Sequence, residues 1–257
     1  MGRYPLRAAV AVLFAAGCGS STPTSPSDLS LSERIETAHF VFHYSAGDGV
    51  DSARQEAYHE WAVAQLGVTP PVIQYNKYQT RAQMAALTGR GNTNGFADAP
   101  ASAIHTLFPT DNHEVVHLYA ASWGFPVALF EEGLAVAHQT NPSAHDFVPR
   151  WGGTALDDLV RLLRALDGVP PIAAIAETAA FRARDGDIMY PVAGSFVRFL
   201  IDTQGMGAMR RLYGEMPNDA TLSTVRAAFL RTYGFTLDEA DARWVASLEF
   251  RIPPLVP

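Results

Sequence analysis

The sequence has little that would support a disulfide framework, a thiolate metal cluster or a membrane-spanning helix. Its 257 residues contain one cysteine, Cys18, which excludes an internal disulfide and any site built from several thiolates. No apolar run reaches the roughly 18–20 residues that a transmembrane helix needs. Basic residues are few, and the net charge of −7 makes a nucleic-acid partner an unexpected one. Hydrophobic residues nevertheless make up 48% of the chain, which predicts a globular protein whose chemistry falls to His, Glu, Asp or Tyr.

The N-terminal residues have the pattern of an export signal. Two arginines precede the apolar run 8–16, and small residues then lead to Cys18. This segment resembles a bacterial lipobox, in which the cysteine is lipidated and becomes the first residue of the mature protein. The resemblance implies a signal peptide over 1–17, a lipid anchor on Cys18, and a lipoprotein of the bacterial cell envelope, sorted to the outer membrane. Cleavage as an ordinary signal peptide near Gly17 is the alternative.

The body of the chain changes character near residue 109. Residues 18–30 include a Ser/Thr/Pro tract that predicts an extended tether. Alternating aromatic and β-branched residues then predict three strands, at 37–44, 71–78 and 101–108. A capped helical pattern predicts one helix between the first two strands, at 51–66. Helical patterns follow at 110–122, 126–138, 154–166, 191–202, 206–216, 221–233 and 237–248. The predicted fold class is therefore α+β, with a small N-terminal mixed sheet and a helix over 31–109 and a mostly helical half over 110–257.

The motif His113-Glu114-Val115-Val116-His117 falls within the predicted helix 110–122. Residues i and i+4 share one face of a helix, so both imidazoles can bind one Zn²⁺, with Glu114 beside the water that the metal activates. Zinc needs a third protein ligand. The metzincin spacing would place it at position 123, which is Trp123, so that class is excluded. The alternative to a metal site is a helix whose histidines and glutamate face solvent.

A possible third ligand lies in the next predicted helix, within Glu132-Gly133-Leu134-Ala135. This segment resembles the E-G-x-A segment of the peptidase MA-like superfamily, the gluzincins, which have a thermolysin-like fold. The resemblance implies one peptidase MA-like domain over 31–257 that binds one Zn²⁺ per chain through His113, His117 and Glu132. It also implies that Glu131 points elsewhere and that Gly133 allows the two metal-bearing helices to pack closely.

Further segments carry the same resemblance. Tyr190 and the residues after it resemble the part of gluzincins, such as the aminopeptidase N family, that holds a catalytic tyrosine. Its phenol is then expected to donate a hydrogen bond to the oxyanion, and a packed aromatic residue is the alternative. The G-A-M-E-N segment of that family, which binds a free amine, has no counterpart in Gly95-Phe96-Ala97-Asp98-Ala99, so an endopeptidase is favoured. His105 is a candidate for substrate contact, because gluzincins bind an extended peptide along a sheet edge, and an ordinary strand histidine is the alternative.

The remaining histidines are predicted to lie outside the site. His59 is expected to be exposed, because the buried stripe of its helix is predicted from four other residues: Ala53, Ala57, Trp61 and Ala64. His138 lies off the metal-facing side of its helix, and His145 lies in a loop.

These observations predict a zinc metallopeptidase that hydrolyses a peptide or protein substrate at the cell envelope, with Glu114 as general base. The membrane is then a partner only through the N-terminal lipid. Two alternatives keep the same fold: a catalytically silent lipoprotein that acts as a binding or assembly factor, and a zinc amidase that acts on cell-wall material. A structural zinc site usually has four protein ligands, whereas three are visible here, which favours catalysis.

Overall fold

A five-stranded mixed sheet begins the fold in the computed structural model, which describes residues 30–140 and 148–249. Its strands are β1 (Glu33–Glu36), β2 (Phe40–Tyr44), β3 (Ile73–Lys77), β4 (Gly95–Asp98) and β5 (Ala103–Thr106). The spatial order is β1-β2-β3-β5-β4, with the three central strands parallel and both edge strands antiparallel to their neighbours. The predicted signal peptide and Cys18 lie outside the described residues, as does His145.

The core face of the sheet is aromatic and aliphatic. Phe42, Tyr75 and Ile104 are paired across the three central strands, and all three are fully buried. Such cross-strand rows stabilise a sheet because neighbouring side chains pack directly against one another. Buried residues alternate with half-buried ones along β2 and β3, as expected for a sheet with one face covered by helices.

Ten helices accompany the sheet within the described residues. They are α1 (Ser52–Leu66), α2 (Arg81–Thr88), α3 (Asn112–Ala120), α4 (Ala128–His138), α5 (Leu156–Ala165), α6 (Thr178–Arg182), α7 (Gly186–Gln204), α8 (Met206–Glu215), α9 (Leu222–Tyr233) and α10 (Leu237–Glu249). A short hairpin, β6 (Arg150–Trp151) and β7 (Thr154–Ala155), joins α4 to α5. The α+β prediction is confirmed. In the part of the chain that the structure describes, no helix is long and apolar enough to span a bilayer.

The buried face of α1 differs from the predicted one. The helix begins after its N-cap Asp51 and ends at Gly67, as expected, but the alanines predicted to be buried are exposed and Trp61 is only half-buried. The buried residues are instead Gln55, Tyr58, His59, Ala62 and Leu66. The prediction that His59 is exposed is wrong: its Nδ1 lies 2.5 Å from the hydroxyl of Tyr119, and this polar contact allows burial.

Helices α4 and α7 pack together in the centre of the helical half. Every residue of α4 is buried, including both glutamates. A Cβ atom on Gly133 would lie 2.6 Å from Val197 Cγ2 and 2.8 Å from the backbone oxygen of Ala193, both on α7. Gly133 therefore allows close packing against α7, whereas the expected close contact was with α3, the other helix of the candidate metal site.

Helix α7 begins before its predicted start at Pro191. Its N-cap is Asp185, whose side chain accepts a hydrogen bond from the backbone N–H of Asp187. Proline commonly marks the first turn of a helix, which explains the later predicted start. The consequence is that Tyr190 lies inside the helix, one turn after its beginning.

Candidate metal centre

The start of α3 is fixed to both the sheet and α1. The side chain of Asp111, its N-cap, accepts hydrogen bonds from the backbone N–H of Glu114 at 3.1 Å and from Thr106 Oγ1 at 2.6 Å. The backbone N–H of Asp111 donates to Gln55 Oε1 at 3.0 Å. The HExxH motif therefore begins in the first turn of a helix whose cap is bound from two sides.

Three predicted ligands converge on one point. His113 Nε2 lies 3.0 Å from His117 Nε2, and Glu132 Oε2 lies 3.2 Å and 3.3 Å from these two nitrogens. Tetrahedral coordination with bonds of about 2.0–2.1 Å separates neighbouring ligand atoms by about 3.3–3.4 Å. The three side chains thus form a possible metal-binding triad, as predicted, and their spacing fits a small divalent cation.

Partners outside the triad orient two of the ligands. His113 Nδ1 lies 3.2 Å from Gln139 Oε1, which accepts its proton and leaves the Nε2 lone pair for a metal. Arg182 Nη2 donates to Glu132 Oε1 at 3.1 Å, so this carboxylate turns its other oxygen toward the histidines. Neither partner was predicted. Arg182 lies on α6, a helix absent from the sequence-based prediction, and no local pattern connects it to Glu132.

Within the triad, the neighbouring groups shift the pKa values of Glu132 and His117. Burial raises the pKa of Glu132, but its hydrogen-bonding contacts with the imidazoles of His113 and His117, and their charge, outweigh this effect and hold the pKa well below its usual range. Burial lowers the pKa of His117, but the hydrogen bond and charge of Glu132 outweigh it and raise the pKa to about 9. Without a metal, a proton on His117 therefore compensates the buried carboxylate, and a cation would replace that proton.

Two further carboxyl groups lie beside the triad. Burial raises the pKa of Glu114, which lies against both histidines of the motif. Glu131 is 9% exposed, and burial raises its pKa to about 7. Its Oε2 has no hydrogen-bond partner among the described residues and lies 3.6 Å from Arg182 Nη2. Glu131 is outside the triad, as predicted, but it lines the same cleft and does not point away from it.

Tyr190 lies next to the candidate metal-binding groups. Its ring centroid is 6.1 Å from that of His113, and it also contacts the rings of Trp151 and Phe181. Burial, followed by the charge of Glu132, raises the pKa of Tyr190 to about 12. The phenol therefore keeps its proton at neutral pH and can donate a hydrogen bond in the cleft.

Two pockets beside the triad share His113, Glu114 and Tyr190 in their linings, so we describe them as two lobes of one cleft. One lobe, of about 490 Å³, is lined by Phe108, Trp151 and Tyr190 together with polar residues; we call it the aromatic lobe. The other, of about 460 Å³, extends past Phe125 and Arg182; we call it the arginine lobe. Both lobes include His113 and Glu114.

Strand β4 forms the sheet edge along this cleft. A Cβ atom on Gly95 would lie 2.8 Å from Asp111 Oδ2 and 3.1 Å from Glu114 Cγ, so glycine allows β4 to approach α3 closely. The expected role of His105 required an edge position, but its strand β5 lies between β3 and β4. His105 instead stacks on Phe96, and its Nδ1 lies 2.7 Å from the hydroxyl of Tyr78.

The comparisons with known proteins give no relative: no protein-family model matches the chain, and no curated protein matches it significantly. Proposals about its activity therefore depend on the chemistry of the site.

Proposed function

We propose that the protein is a zinc-dependent metallopeptidase of the peptidase MA-like, or gluzincin, type. The observation that carries this proposal is the convergence of His113 Nε2, His117 Nε2 and Glu132 Oε2 beside the buried carboxyl group of Glu114. Two imidazoles and one carboxylate are a donor set of catalytic zinc sites, and three protein ligands leave one position open. An open position favours catalysis over a purely structural metal.

Bound Zn²⁺ would act as a Lewis acid on a peptide carbonyl and lower the pKa of a water molecule toward neutrality. Glu114 accepts the proton of the attacking water and delivers it to the leaving amine, a role suited to a carboxyl group whose pKa burial raises. The protonated phenol of Tyr190 donates a hydrogen bond to the carbonyl oxygen as negative charge develops there. Gln139 and Arg182 hold His113 and Glu132 in their orientations.

The shape of the cleft supports an endopeptidase. Two lobes of similar volume meet at His113, Glu114 and Tyr190, so a bound chain can extend from these residues in two directions. The outer side of β4 can pair with an extended peptide, since an edge strand has unpaired backbone groups. The proposed location is the bacterial cell envelope, with Cys18 lipidated; this part rests on the sequence of the N-terminal segment.

The substitution Glu114→Gln tests the proposal, because it preserves the volume of the side chain and removes its basicity. We expect wild-type zinc content, about one ion per chain, and a fall in kcat of about 10²–10⁴-fold on a peptide substrate. Glu60→Gln, at an exposed position of α1, is the matched control and should change neither quantity.

Three outcomes contradict parts of the proposal. If wild type does not bind stoichiometric zinc, the proposed metal site is refuted. If the Glu114→Gln variant is as active as wild type, the assignment of Glu114 as general base is refuted. Zinc binding with no hydrolysis of peptides would favour the binding factor, or, if muropeptides were cleaved, the amidase.

A further inference from the structure

The β6–β7 hairpin holds Trp151 beside the metal centre. Its two-residue turn is Gly152-Gly153, with φ values of 55° and 85°, as the tight turns of hairpins require. The backbone N–H of Arg150 donates to the carbonyl of Gln139 at 3.2 Å, which joins the hairpin to the end of α4. Since Gln139 also contacts His113, the hairpin and the metal ligand share one anchor.

Trp151 and Tyr190 form one continuous aromatic surface in the aromatic lobe. Their rings stack with centroids 5.4 Å apart and planes inclined by 29°. Phe108 lines the same lobe and is 45% exposed, so a large apolar surface remains open to a ligand. Because His113 and Glu114 also line this lobe, a side chain bound there belongs to a residue next to the reacting bond.

The charges of the aromatic lobe select against acidic side chains. The charged groups lining it are the carboxyl groups of Asp111 and Glu114, and among its described lining residues there is neither lysine nor arginine. The carboxylate of Asp111 already accepts hydrogen bonds from Thr106 and from the backbone of Glu114. Glu114 is the proposed general base, so a cationic side chain paired with it would occupy the group that accepts the proton, whereas a neutral ring leaves it free.

From these contacts we infer that the aromatic lobe binds an aromatic side chain of the substrate, so that the preferred substrates are peptides with Phe, Tyr or Trp next to the bond that is cleaved. The inference rests on the proposed peptidase function. The lobe's volume of about 490 Å³ admits a whole ring, and an aromatic side chain has about 150–250 Å² of surface to bury.

The test compares peptides that differ only at the residue next to the cleaved bond, which is first located with a mixed peptide library. Peptides with Phe, Ala, Asp or Arg at this position are then assayed with the zinc-loaded protein. We expect kcat/KM for Phe to exceed that for Ala by roughly 10–200-fold, and Asp to be the poorest.

Three variants locate the preference. Trp151→Ala and Phe108→Ala should each lower the Phe-to-Ala ratio about tenfold, and Trp151→Phe should retain most of it. Phe125→Ala, in the arginine lobe, is the matched control and should leave the ratio unchanged. The ratio is measured because Trp151 also contacts Tyr190, and a displaced phenol would slow both peptides alike.

Binding to the zinc-loaded Glu114→Gln variant, measured by calorimetry with the Phe and Ala peptides, separates this inference from the peptidase proposal. Tighter binding of the Phe peptide that disappears in Trp151→Ala supports the aromatic lobe even if wild type cleaves neither peptide. Equal binding of the two peptides, or a preference for Arg over Phe, overturns the inference and leaves a measured peptidase activity intact.

Discussion

The close packing of α4 on α7 makes Gly133→Ala a sensitive test of how the metal centre is assembled. The added Cβ would lie 2.6 Å from Val197 Cγ2 and 2.8 Å from the carbonyl oxygen of Ala193. The valine methyl can rotate away, but a backbone oxygen cannot. The two helices must therefore separate by several tenths of an ångström.

Overpacking of this kind lowers the free energy of unfolding by about 1–3 kcal/mol. The higher helix propensity of alanine offsets at most about 1 kcal/mol of that cost. We therefore expect Gly133→Ala to be less stable than wild type in urea denaturation, with a lower midpoint and an unchanged m-value.

The same displacement should reach the site. Glu132 precedes Gly133 on α4, and Tyr190 lies on α7, so separating the helices moves the proposed metal ligand away from the phenol. A misplacement of about 1 Å can cost 10²-fold in rate, and a shift of several tenths should cost about tenfold in kcat/KM.

Gly207→Ala is the matched control, because it makes the same substitution in a helix with open space around it. The nearest atom to its added Cβ is Arg211 Nη1, at 4.0 Å. We expect this variant to be as stable as wild type or more stable by up to about 1 kcal/mol. Equal stability of the Gly133 and Gly207 variants would refute the packing argument.

Three further predictions concern the triad and the anchor. Glu132→Gln should weaken zinc binding by more than about 100-fold, since losing a residue that only orients a ligand already costs 10–100-fold. The zinc affinity of Glu131→Gln should stay within about tenfold of wild type, and the reverse result would contradict the assigned ligand. Zinc must displace the proton of His117, because the pKa of this imidazole is about 9. The apparent zinc affinity, measured by chelator competition, should therefore rise about tenfold between pH 7 and pH 8, and an affinity that does not change with pH would contradict this. Cys18→Ser should abolish lipid labelling and release the protein from membranes. Unchanged membrane association would instead indicate a plain signal peptide and another attachment.

The residues of the candidate metal site could be predicted because they belong to local patterns. His113, Glu114 and His117 lie within five consecutive residues, and helical geometry alone brings the two histidines together. Glu132 follows in the next helix and was assigned through its glycine-containing segment. The mixed sheet was predicted only in part, since β1 and the edge strand β4 are short and carry weak alternation.

The buried face of α1 could not be predicted from periodicity alone. Alanine is small enough to be buried or exposed at little cost, so a stripe of alanines does not identify the core side. The decisive contacts come from distant parts of the chain. Tyr58 donates to the carbonyl of His138, and His59 meets the hydroxyl of Tyr119, so both polar groups are satisfied within the core.

The orientation of the site depends on the same kind of distant contact. Gln139 orients His113, Arg182 orients Glu132, and Trp151 stacks on Tyr190, and each of these partners was missed because it lies outside the motif that it serves. The sequence motifs specify which atoms can bind a metal, whereas tertiary packing of α4, α6, α7 and the hairpin specifies where those atoms point. This division explains why a single methyl group at Gly133, which is not a donor itself, should alter both the stability of the fold and the chemistry of the cleft.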